Sequence, residues 1–498
     1  MTRSVRAFAL MSTALLAGCM VGPNYVRPSA PTTPAFKEAD GWAPAEPADA
    51  TPRGDWWTVF GDPVLNQLEQ QVVVSNQNLA AAEAAYRQAH AVVAEDRASL
   101  FPTVSLTGSA SRSKSGAGTT VITTPTGPGT GTGTGTGTGN GNGAGSTVIS
   151  TAARNSFQLG ASASWEPDLW GRIRRTIEGA RASAQASAAD LANARLSAQS
   201  QLAIDYVQLR ADDELKRLTD VTVEGYRRSL QITQNQYNAG IIAKSDVFTA
   251  QTQLDNALAQ ADDYVRQRQL LEHAIAVLAG EPPANLTIAP ATWTLTPPAV
   301  PVTVPSVLLQ RRPDVAAAER LAANANAQIG VQTAAFFPTV SLTGQYGFSS
   351  SSLSGLFSAS SSLWSLGASA AETVLDFGAR SARVREARAA YDQNVAQYRQ
   401  TVLSAFQQVE DALAAEHILA EEAPLRAQAS AAADAAEQIA MNQYRAGTAN
   451  YTTVVVAENT ALAARQTMVT SQVNQIVASL DLITAMGGGW STAQQPRD

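Results

Sequence analysis

Short stretches of the chain alternate apolar and polar residues, which predicts β-strands with one apolar and one polar face. The four stretches are 101–109, 157–165, 337–348 and 364–370. In the clearest of them the apolar face consists of Val340, Leu342, Tyr346 and Phe348. Such alternation over roughly 9–11 residues is typical of transmembrane strands, with a half-buried soluble hairpin as the alternative for any single strand.

Two other stretches predict α-helices of unusual length. A helix from Arg172 to Ala239, in a region without proline, would extend about 100 Å at roughly 1.5 Å per residue. In the second half of the chain, apolar residues recur every three or four positions, at Tyr391, Val395, Tyr398, Val402, Phe406, Val409 and Leu413. Their mean spacing of about 3.7 residues favours straight, side-by-side helices over a tight left-handed coiled coil. Pro424 should kink the second long helix.

Each long helix is predicted to turn back on itself at a glycine. Gly240 follows Asn-Ala and Gly447 follows Arg-Ala, and a glycine just after the last helical residue is a common helix end. The returning helices are predicted over 245–278 and 452–486. The chain should therefore contain two long helical hairpins with tips near these glycines.

The chain is one unit written twice. The octapeptide FPTVSLTG occurs at 101–108 and again at 337–344. Farther along, the motif at 236–240 aligns with the motif at 443–447. The second match has a shorter offset than the first, which indicates an insertion in the first copy. The insertion lies where Gly-Thr repeats predict a flexible extracellular loop over 109–156.

The duplication and the proline-rich stretches define the predicted organisation. In order it comprises a signal peptide, an extended lipid-anchored tether, a first repeat, a linker, a second repeat and a tail: 1–18, 19–62, 63–280, 281–305, 306–487 and 488–498. Each repeat should open with a helix, over 63–99 and 306–335, that ends at a Phe-Pro pair. The second strand pair is predicted within 337–376.

The predicted fold class is an α+β membrane protein with four transmembrane β-strands and two very long α-helical hairpins per chain. Four strands cannot close a barrel, because about eight is the practical minimum and open strand edges are not tolerated in lipid. A barrel must therefore be shared between chains. Two chains would supply 8 strands and three would supply 12, and the strand count leaves both possible.

Composition narrows the classes of function. The formal net charge is −7 and only 15% of the residues are charged, which argues against a nucleic-acid binder. His90, His273 and His417 are far apart in Ala-rich segments, so they form no catalytic or metal-binding group. The Gly-Thr repeats lack the lysine and helix start of a phosphate-binding loop. We therefore expect neither an enzyme nor a metal or cofactor site.

The amino terminus predicts export and lipid attachment. Arg3 and Arg6 precede an apolar run that is too short to span a bilayer, as in a secretory signal. The run ends in Leu-Ala-Gly-Cys19, which resembles the bacterial lipoprotein box, whose cysteine is lipidated. Met20 stands where an inner-membrane retention signal would place Asp, which favours the outer membrane. The alternative is an ordinary signal peptide with an incidental cysteine.

Together the motifs resemble the TolC-like outer-membrane factors of tripartite efflux, in their lipoprotein branch, the NodT family. They are the lipoprotein box with 21–25 behind it, Trp56-Trp57 with Asp62-Pro63, Arg312-Pro313-Asp314, the two Phe-Pro strands, the two hairpin tips and the closing 485–490. The resemblance covers essentially the whole mature chain. It implies a homotrimer with a 12-stranded β-barrel in the outer membrane and an α-helical barrel in the periplasm. The implied partners are outer-membrane lipid, a periplasmic adaptor protein and an inner-membrane pump of the RND type.

The resemblance also implies roles at the hairpin tips. Candidate adaptor contacts are Gly240, Ile241, Lys244, Gly447 and Thr448, and candidate gate residues are Tyr237, Asp246, Tyr444, Thr452 and Val456. In the family, an acidic residue after the first tip hydrogen-bonds a tyrosine before the second, and Asp246 and Tyr444 match these positions. Asp246 could equally serve the start of the returning helix. Thr452 and Val456 replace the leucine and aspartate that often form constricting rings, so the acidic ring is absent here.

The expected function is an outer-membrane channel that conducts drugs or other solutes from the adaptor and pump to the exterior. The only non-protein group expected is a covalent lipid on Cys19. Two alternatives remain open: the outer-membrane duct of a type I protein secretion system, and a structural coiled-coil lipoprotein that closes no pore. The alternating strands weigh against the second alternative.

Overall fold

The computed structural model describes residues 20–30, 36–37, 55–114, 153–292, 296 and 312–488. The chain divides into two compact units. Among the described residues, the sheet unit comprises 97–114, 153–173 and 335–377, and the helical unit comprises the rest.

The sheet unit contains four antiparallel strands in the order of the sequence. They are β1 Thr103–Ser113, β2 Arg154–Trp165, β3 Thr339–Ser350 and β4 Ser362–Ala371. The four-strand prediction is confirmed. β1 continues to Ser113 and β2 begins at Arg154, so both strands take residues from the predicted loop 109–156.

The register divides the sheet into a hydroxyl face and an apolar face. Every position of β1 on the hydroxyl face is Ser or Thr, from Thr103 to Ser113, and Val104 and Leu106 lie on the other face. Because the repeat is preserved in three dimensions, equivalent hydroxyl pairs form in both hairpins. The side-chain oxygens of Ser105 and Ser162 are 2.8 Å apart, and those of Ser341 and Ser369 are also 2.8 Å apart.

The remaining elements are helices. They are α1 Pro63–Ser75, α2 Gln77–Ala98, α3 Arg172–Asn238, α4 Lys244–Leu278, α5 Pro313–Ala334, α6 Ala379–Arg445 and α7 Tyr451–Ala485. The first long helix and both returning helices match the predicted bounds to within one residue. The second long helix, for which only the tip was predicted, ends at Arg445, two residues before Gly447. α6 runs through Pro424 as one helix of 67 residues, and the kink remains a prediction. None of the described helices has the length and hydrophobicity needed to cross a membrane.

The predicted opening helix over 63–99 is wrong as a single helix, because it breaks at Asn76. The Asn76 side chain accepts hydrogen bonds from the backbone N–H groups of Asn78 and Leu79, at 2.9 and 3.0 Å. It thereby caps α2, as asparagine commonly does. Its amide group donates to the Leu278 carbonyl oxygen at 2.8 Å, which ties the break to the end of α4. In the second repeat the helix is described from Pro313, and 306–311 lie outside the described residues.

The largest core of the helical unit forms around α1. The apolar side chains that meet there include Trp57, Leu65, Leu68, Val72, Leu202, Tyr206, Ile476 and Leu480. Asp62 caps α1 by accepting from Val64 N–H at 2.8 Å and Leu65 N–H at 3.1 Å, and it also accepts a hydrogen bond from the Tyr206 hydroxyl at 2.6 Å. The cap therefore fixes α1 to α3 as well as starting it.

One carboxylate lies on the buried face of α1. Glu69 has no exposed surface, and neither of its carboxylate oxygens has a hydrogen-bond partner among the described residues. Burial raises its pKa from 4.5 to about 9, because a charge without a partner is disfavoured in the interior. The acid is therefore protonated in the folded protein at neutral pH.

We expect Glu69→Gln to stabilise the protein at neutral and alkaline pH. With a folded pKa above the unfolded value of 4.5, the native carboxyl makes folding progressively less favourable as pH rises from about 4.5 to 9. Glutamine removes this dependence, with a gain of roughly 3 kcal/mol at pH 7. Thermal unfolding midpoints at pH 5, 7 and 9 would measure it.

The exposed Glu83 on α2 provides a matched control, because its replacement by glutamine buries nothing. Glu83→Gln should not reproduce the gain in unfolding midpoint expected of Glu69→Gln. A midpoint lowered equally at all three pH values by Glu69→Gln would contradict a buried neutral acid.

Candidate functional site

Two helix-ending turns with the same hydrogen-bond pattern form the hairpin tips. At the first, Ile241 N–H donates to the Gln236 carbonyl at 2.9 Å and Gly240 N–H donates to the Tyr237 carbonyl at 2.9 Å. The second tip repeats both bonds at the equivalent positions, and both tip glycines have φ of +73°. This is the Schellman arrangement, in which glycine takes the left-handed backbone conformation.

The candidate adaptor contacts present different surfaces at the two tips. Ile241 is 70% exposed, and the Lys244 ammonium lies over the Phe248 ring, 5.3 Å from its centroid. At the second tip the Thr448 hydroxyl donates to the Gln443 carbonyl at 3.0 Å. A side chain added at Gly240 or Gly447 would meet nothing within 4 Å. The candidate contact residues are therefore apolar and cationic at the first tip, and small and polar at the second, where the exposed Arg445 lies nearby.

The returning helices start in different ways. Asn450 precedes α7, and its side chain accepts a hydrogen bond from Thr453 N–H at 3.0 Å. The equivalent residue before α4 is Ala243, which has no side-chain acceptor. Asp246 lies in the first turn of α4, where its negative charge favours the helix start. Asp246 is thus a first-turn acid and not the capping residue.

The predicted hydrogen bond between Asp246 and Tyr444 is wrong in this structure. The buried Tyr444 hydroxyl donates instead to the side-chain oxygen of Gln236 on α3, at 2.5 Å. A tyrosine has one proton to donate, so the bond to Gln236 excludes one to Asp246. Burial and the nearby Asp246 charge raise the pKa of Tyr444. Its ring lies 5.5 Å from that of Tyr451, so the contact joins three helices.

The other gate candidates lie on exposed surface. Thr452 and Val456 line an open groove of about 610 Å³ between α6 and α7, together with Ile439 and Gln443. Val456 is 60% exposed. Tyr237, which is 37% exposed on α3, lies outside this groove. The structure therefore brings Thr452 and Val456 together and leaves Tyr237 apart from them.

Sequence reasoning missed the contact surface around Arg175 that holds the residues following Cys19, which we call the seat. The fully buried guanidinium of Arg175 on α3 donates to the Val21 and Gly22 carbonyls, both at 3.2 Å, and to the Asn24 side chain at 2.9 Å. It also pairs with Glu178 at 2.7 Å. Charge-assisted hydrogen bonds of this kind are the strong ones. The beginning of the predicted tether is thus held against the helical unit, while Cys19 lies outside the described residues.

Two glycines make the seat possible. Gly22 has φ of +92°, and a side chain there would lie 2.5 Å from the Gly330 Cα on α5. A side chain on Gly330 would lie 2.8 Å from the Arg175 side chain. Farther along, the Tyr25 hydroxyl donates to the Glu319 carboxylate at 2.6 Å. Gly22 and Tyr25 stand in the motif over 21–25, but no sequence pattern connected that motif to Arg175.

No described group of three or more His, Cys, Asp or Glu side chains could hold a metal ion. The arrangement of the tips and the seat offers contacts and surfaces. Among the described residues, it assembles no acid, base or nucleophile around a cavity.

Comparison with known proteins identifies the class. The model of the outer membrane efflux protein family matches residues 68–281 and 304–488. The toluene efflux pump outer membrane protein TtgC of Pseudomonas putida is 30% identical over 98% of this chain and 96% of its own length. The pyoverdine export outer membrane protein OpmQ of Pseudomonas aeruginosa is 28% identical over 90% of each chain.

The solved structures agree. The outer-membrane channel OprN has a TM-score of 0.81 and 31% identity, and it covers 96% of this chain and 100% of its own. These matches, with a strand pair and a long helical hairpin in each repeat, identify an outer-membrane channel protein. The chain belongs to the outer membrane efflux protein family. The expected TolC-like class, its fold and its non-enzymatic nature are confirmed, and the NodT branch remains an expectation.

We expect Gly240→Ala to loosen the first tip through its backbone alone. Because a new methyl group would meet nothing within 4 Å, the cost is that of a left-handed alanine, about 1–2 kcal/mol. Limited proteolysis at the tip should become faster. Gly225, a helical glycine that also faces open space, is the matched control, and Gly225→Ala should slow proteolysis or leave it unchanged. Equal effects from the two variants would refute the strained turn.

We expect Arg175→Met to release the segment 21–25 from its seat. The methionine retains apolar packing but leaves the Val21 and Gly22 carbonyls without their donor. Hydrogen exchange of backbone amides over 21–25 should accelerate by at least tenfold, the effect of losing about 1.4 kcal/mol. The exposed Arg181 on the same helix serves as the control. Unchanged protection in Arg175→Met would show that the seat does not hold the segment.

Proposed function

We propose that this outer-membrane efflux protein works as a homotrimeric, lipid-anchored duct that performs no chemistry on what it conducts. In this proposal three copies contribute 12 strands to one barrel, and the helical hairpins form a periplasmic tunnel. A periplasmic adaptor and an inner-membrane pump deliver solutes at the hairpin tips. The membership of the family supports the efflux role, and the finer assignments rest on the arguments below.

The two-faced sheet is the observation that carries the proposal. Val104, Leu106 and Leu366 share the apolar face and are 74%, 76% and 80% exposed in the single chain. Exposed apolar surface of this extent needs a cover, and lipid hydrocarbon supplies one along a strand face. The opposite face, with its Ser and Thr residues, is suited to a water-filled lumen.

The hydroxyl face also bears on the solutes. Its β1 positions carry no charge from Thr103 to Ser113. Among the described strand residues, its one charged side chain is Arg154, opposite Ser113, so most of this face offers little electrostatic discrimination. We propose that solute choice lies mainly with the pump. The names of TtgC and OpmQ, toluene efflux and pyoverdine export, support a broad range of small solutes. The efflux and export roles in these names favour the channel over the secretion alternative and the non-pore alternative.

The tips support the proposed partner contact and gate. The exposed Ile241 and the Lys244–Phe248 pair would meet the adaptor at the first tip, with Thr448 at the second. The hydrogen bond from Tyr444 to Gln236 would hold the closed state, in place of the link to Asp246. Thr452 and Val456 would face the conduit without adding charge, so we expect weak block by divalent cations there.

The seat at Arg175 supports lipid attachment at Cys19. The chain between Cys19 and Val21 spans at most about 7 Å. A lipid on Cys19 would therefore be attached within a short distance of a fixed point on the helical unit. Mass spectrometry of the mature amino terminus would test this assignment.

Conductance in planar bilayers, with oligomeric state measured in detergent, tests the duct and its gate together. Wild-type protein should run as a trimer with a small closed-state conductance. Tyr444→Phe removes only the hydroxyl group that donates to Gln236 and should raise that conductance several-fold. Asp246→Ala should have a smaller effect, since Asp246 acts on Tyr444 only through its charge.

Tyr237→Phe is the matched control, because Tyr237 is the repeat equivalent of Tyr444 at the first tip and its side chain is 37% exposed. It should leave the closed-state conductance unchanged. A monomeric protein without conductance would overturn the duct. A trimer whose leak responds to Asp246→Ala but not to Tyr444→Phe would overturn the role of Gln236 and leave the duct intact.

A further inference from the structure

The two outer edges of the sheet have no partner strand. Among the described residues, β1 pairs only with β2, and β4 pairs only with β3. The outward N–H and C=O groups of both edges thus lack strand partners, which is costly in an apolar surrounding. Strand order makes β1 and β4 antiparallel neighbours if two copies of the chain meet side by side.

The duplication is preserved in the register of the strands. Within the first hairpin Thr103 pairs with Ser164 and Leu106 pairs with Ala161. The repeat aligns β1 with β3 through the shared octapeptide and β2 with β4 through the shared LGASA motif. The equivalent pairs of the second hairpin are then Thr339 with Ala371 and Leu342 with Ala368, and these are the pairs observed. The repeat therefore predicts strand partners to the residue.

The remaining observed junction, between β2 and β3, joins the end of the first repeat to the beginning of the second. There Ser162 pairs with Gln345 and Ala161 pairs with Tyr346. Contact between two copies would join β4, at the end of the second repeat of one copy, to β1, at the beginning of the first repeat of the next copy. The observed junction is thus a template for the missing one.

We infer that β4 of one copy pairs with β1 of the next in the register of β2 with β3. This inference rests on the proposed oligomer and specifies its seam. Replacing each residue of β2 and β3 by its repeat equivalent gives the partners Trp364 with Lys114, Leu366 with Arg112, Ala368 with Ala110, Ser369 with Ser109, and Ala370 with Gly108 of the next copy.

The chemistry of the pairs agrees with the transferred register. Ser369 and Ser109 both belong to the hydroxyl face, and Ala368 and Ala110 both belong to the apolar face. A slip of one residue would set hydroxyl groups against the apolar face along the whole seam. The register also puts the Lys114 ammonium beside the Trp364 indole, a favourable cation–π pairing.

A slip of two residues would keep the two faces matched. Only the observed β2–β3 register distinguishes the proposed pairing from such a slip.

The seam also explains why the sheet of one copy is incomplete. Its sheet has two edges of complementary register, and each fits the opposite edge of another copy. Such a head-to-tail contact is heterologous, and it closes into a ring when the rotation per copy permits.

Cysteine cross-linking tests the register, since the chain has one native cysteine, Cys19, which is common to all variants. The paired variant Ser109→Cys with Ser369→Cys should give a ladder of covalent dimers and trimers after mild oxidation. The shifted variants combine Ser369→Cys with Thr107→Cys or with Ser111→Cys, on the same face two residues away. They should give several-fold less cross-linked product.

The double variant Ser105→Cys with Ser162→Cys reports the folded sheet, because these side chains already touch within one copy. It should oxidise without forming a ladder. Light scattering of each variant in detergent gives its oligomeric state independently.

A stronger ladder from either shifted pair, in a protein that is trimeric, would overturn the register and leave the proposed duct standing. A trimer without any ladder, whose Ser105–Ser162 control oxidises, would overturn the seam itself. A monomer whose control pair oxidises would overturn both the seam and the proposed assembly.

Discussion

The requirement that every backbone N–H and C=O group find a partner governs this molecule. Helices meet the requirement internally, so α3 and α6 can run for 67 residues each and need special treatment only at their ends. Both long helices end at a glycine of positive φ, Gly240 and Gly447, and the returning helices α4 and α7 end in the same way at Gly280 and Gly487. Strands meet the requirement only through neighbours, which is why four of them leave two unsatisfied edges.

The helical unit handles buried charge in two opposite ways. Arg175 is fully buried, yet its guanidinium has carbonyl, amide and carboxylate partners, so its charge is compensated. Glu69 is equally buried without a partner, and burial raises its pKa so that the carboxyl group is neutral in the folded protein at pH 7. The first side chain organises a segment of chain around itself. The second adds a sensitivity to pH that the fold does not use.

The sequence allowed prediction of the features that depend on local pattern. Helix lengths followed from the absence of proline and the positions of glycine, and strand faces followed from alternation. The break at Asn76 was missed although Ser75-Asn76-Gln77-Asn78 is a polar interruption with a helix-capping residue. The contact of Asn76 with Leu278 shows what holds the chain at this point. Gln236 is the first residue of the motif at 236–240 that the repeat comparison aligned, but no local feature of the sequence indicated that it would bind Tyr444.

Contacts between distant segments were the least predictable. Arg175 lies among several arginines at the start of α3, and its burial depends on Gly22 and Gly330 approaching from elsewhere in the chain. A resemblance supplies family roles, and it supplied Asp246 for a bond that goes to Gln236 here. Side-chain competition of this kind is settled by distances of a few ångströms, which spacing along a sequence does not contain.

The unequal starts of the two returning helices have a dynamic consequence. α7 begins with a turn that the Asn450 side chain caps. α4 begins after Ala243, which has no side chain that can accept a hydrogen bond from the first backbone N–H groups of the helix. An uncapped turn frays more readily by about 1 kcal/mol. Duplication has thus produced one firm hairpin end and one soft end in the same chain. In a ring of identical copies, firm and soft ends would alternate, and any widening of the ring would begin at the soft ones.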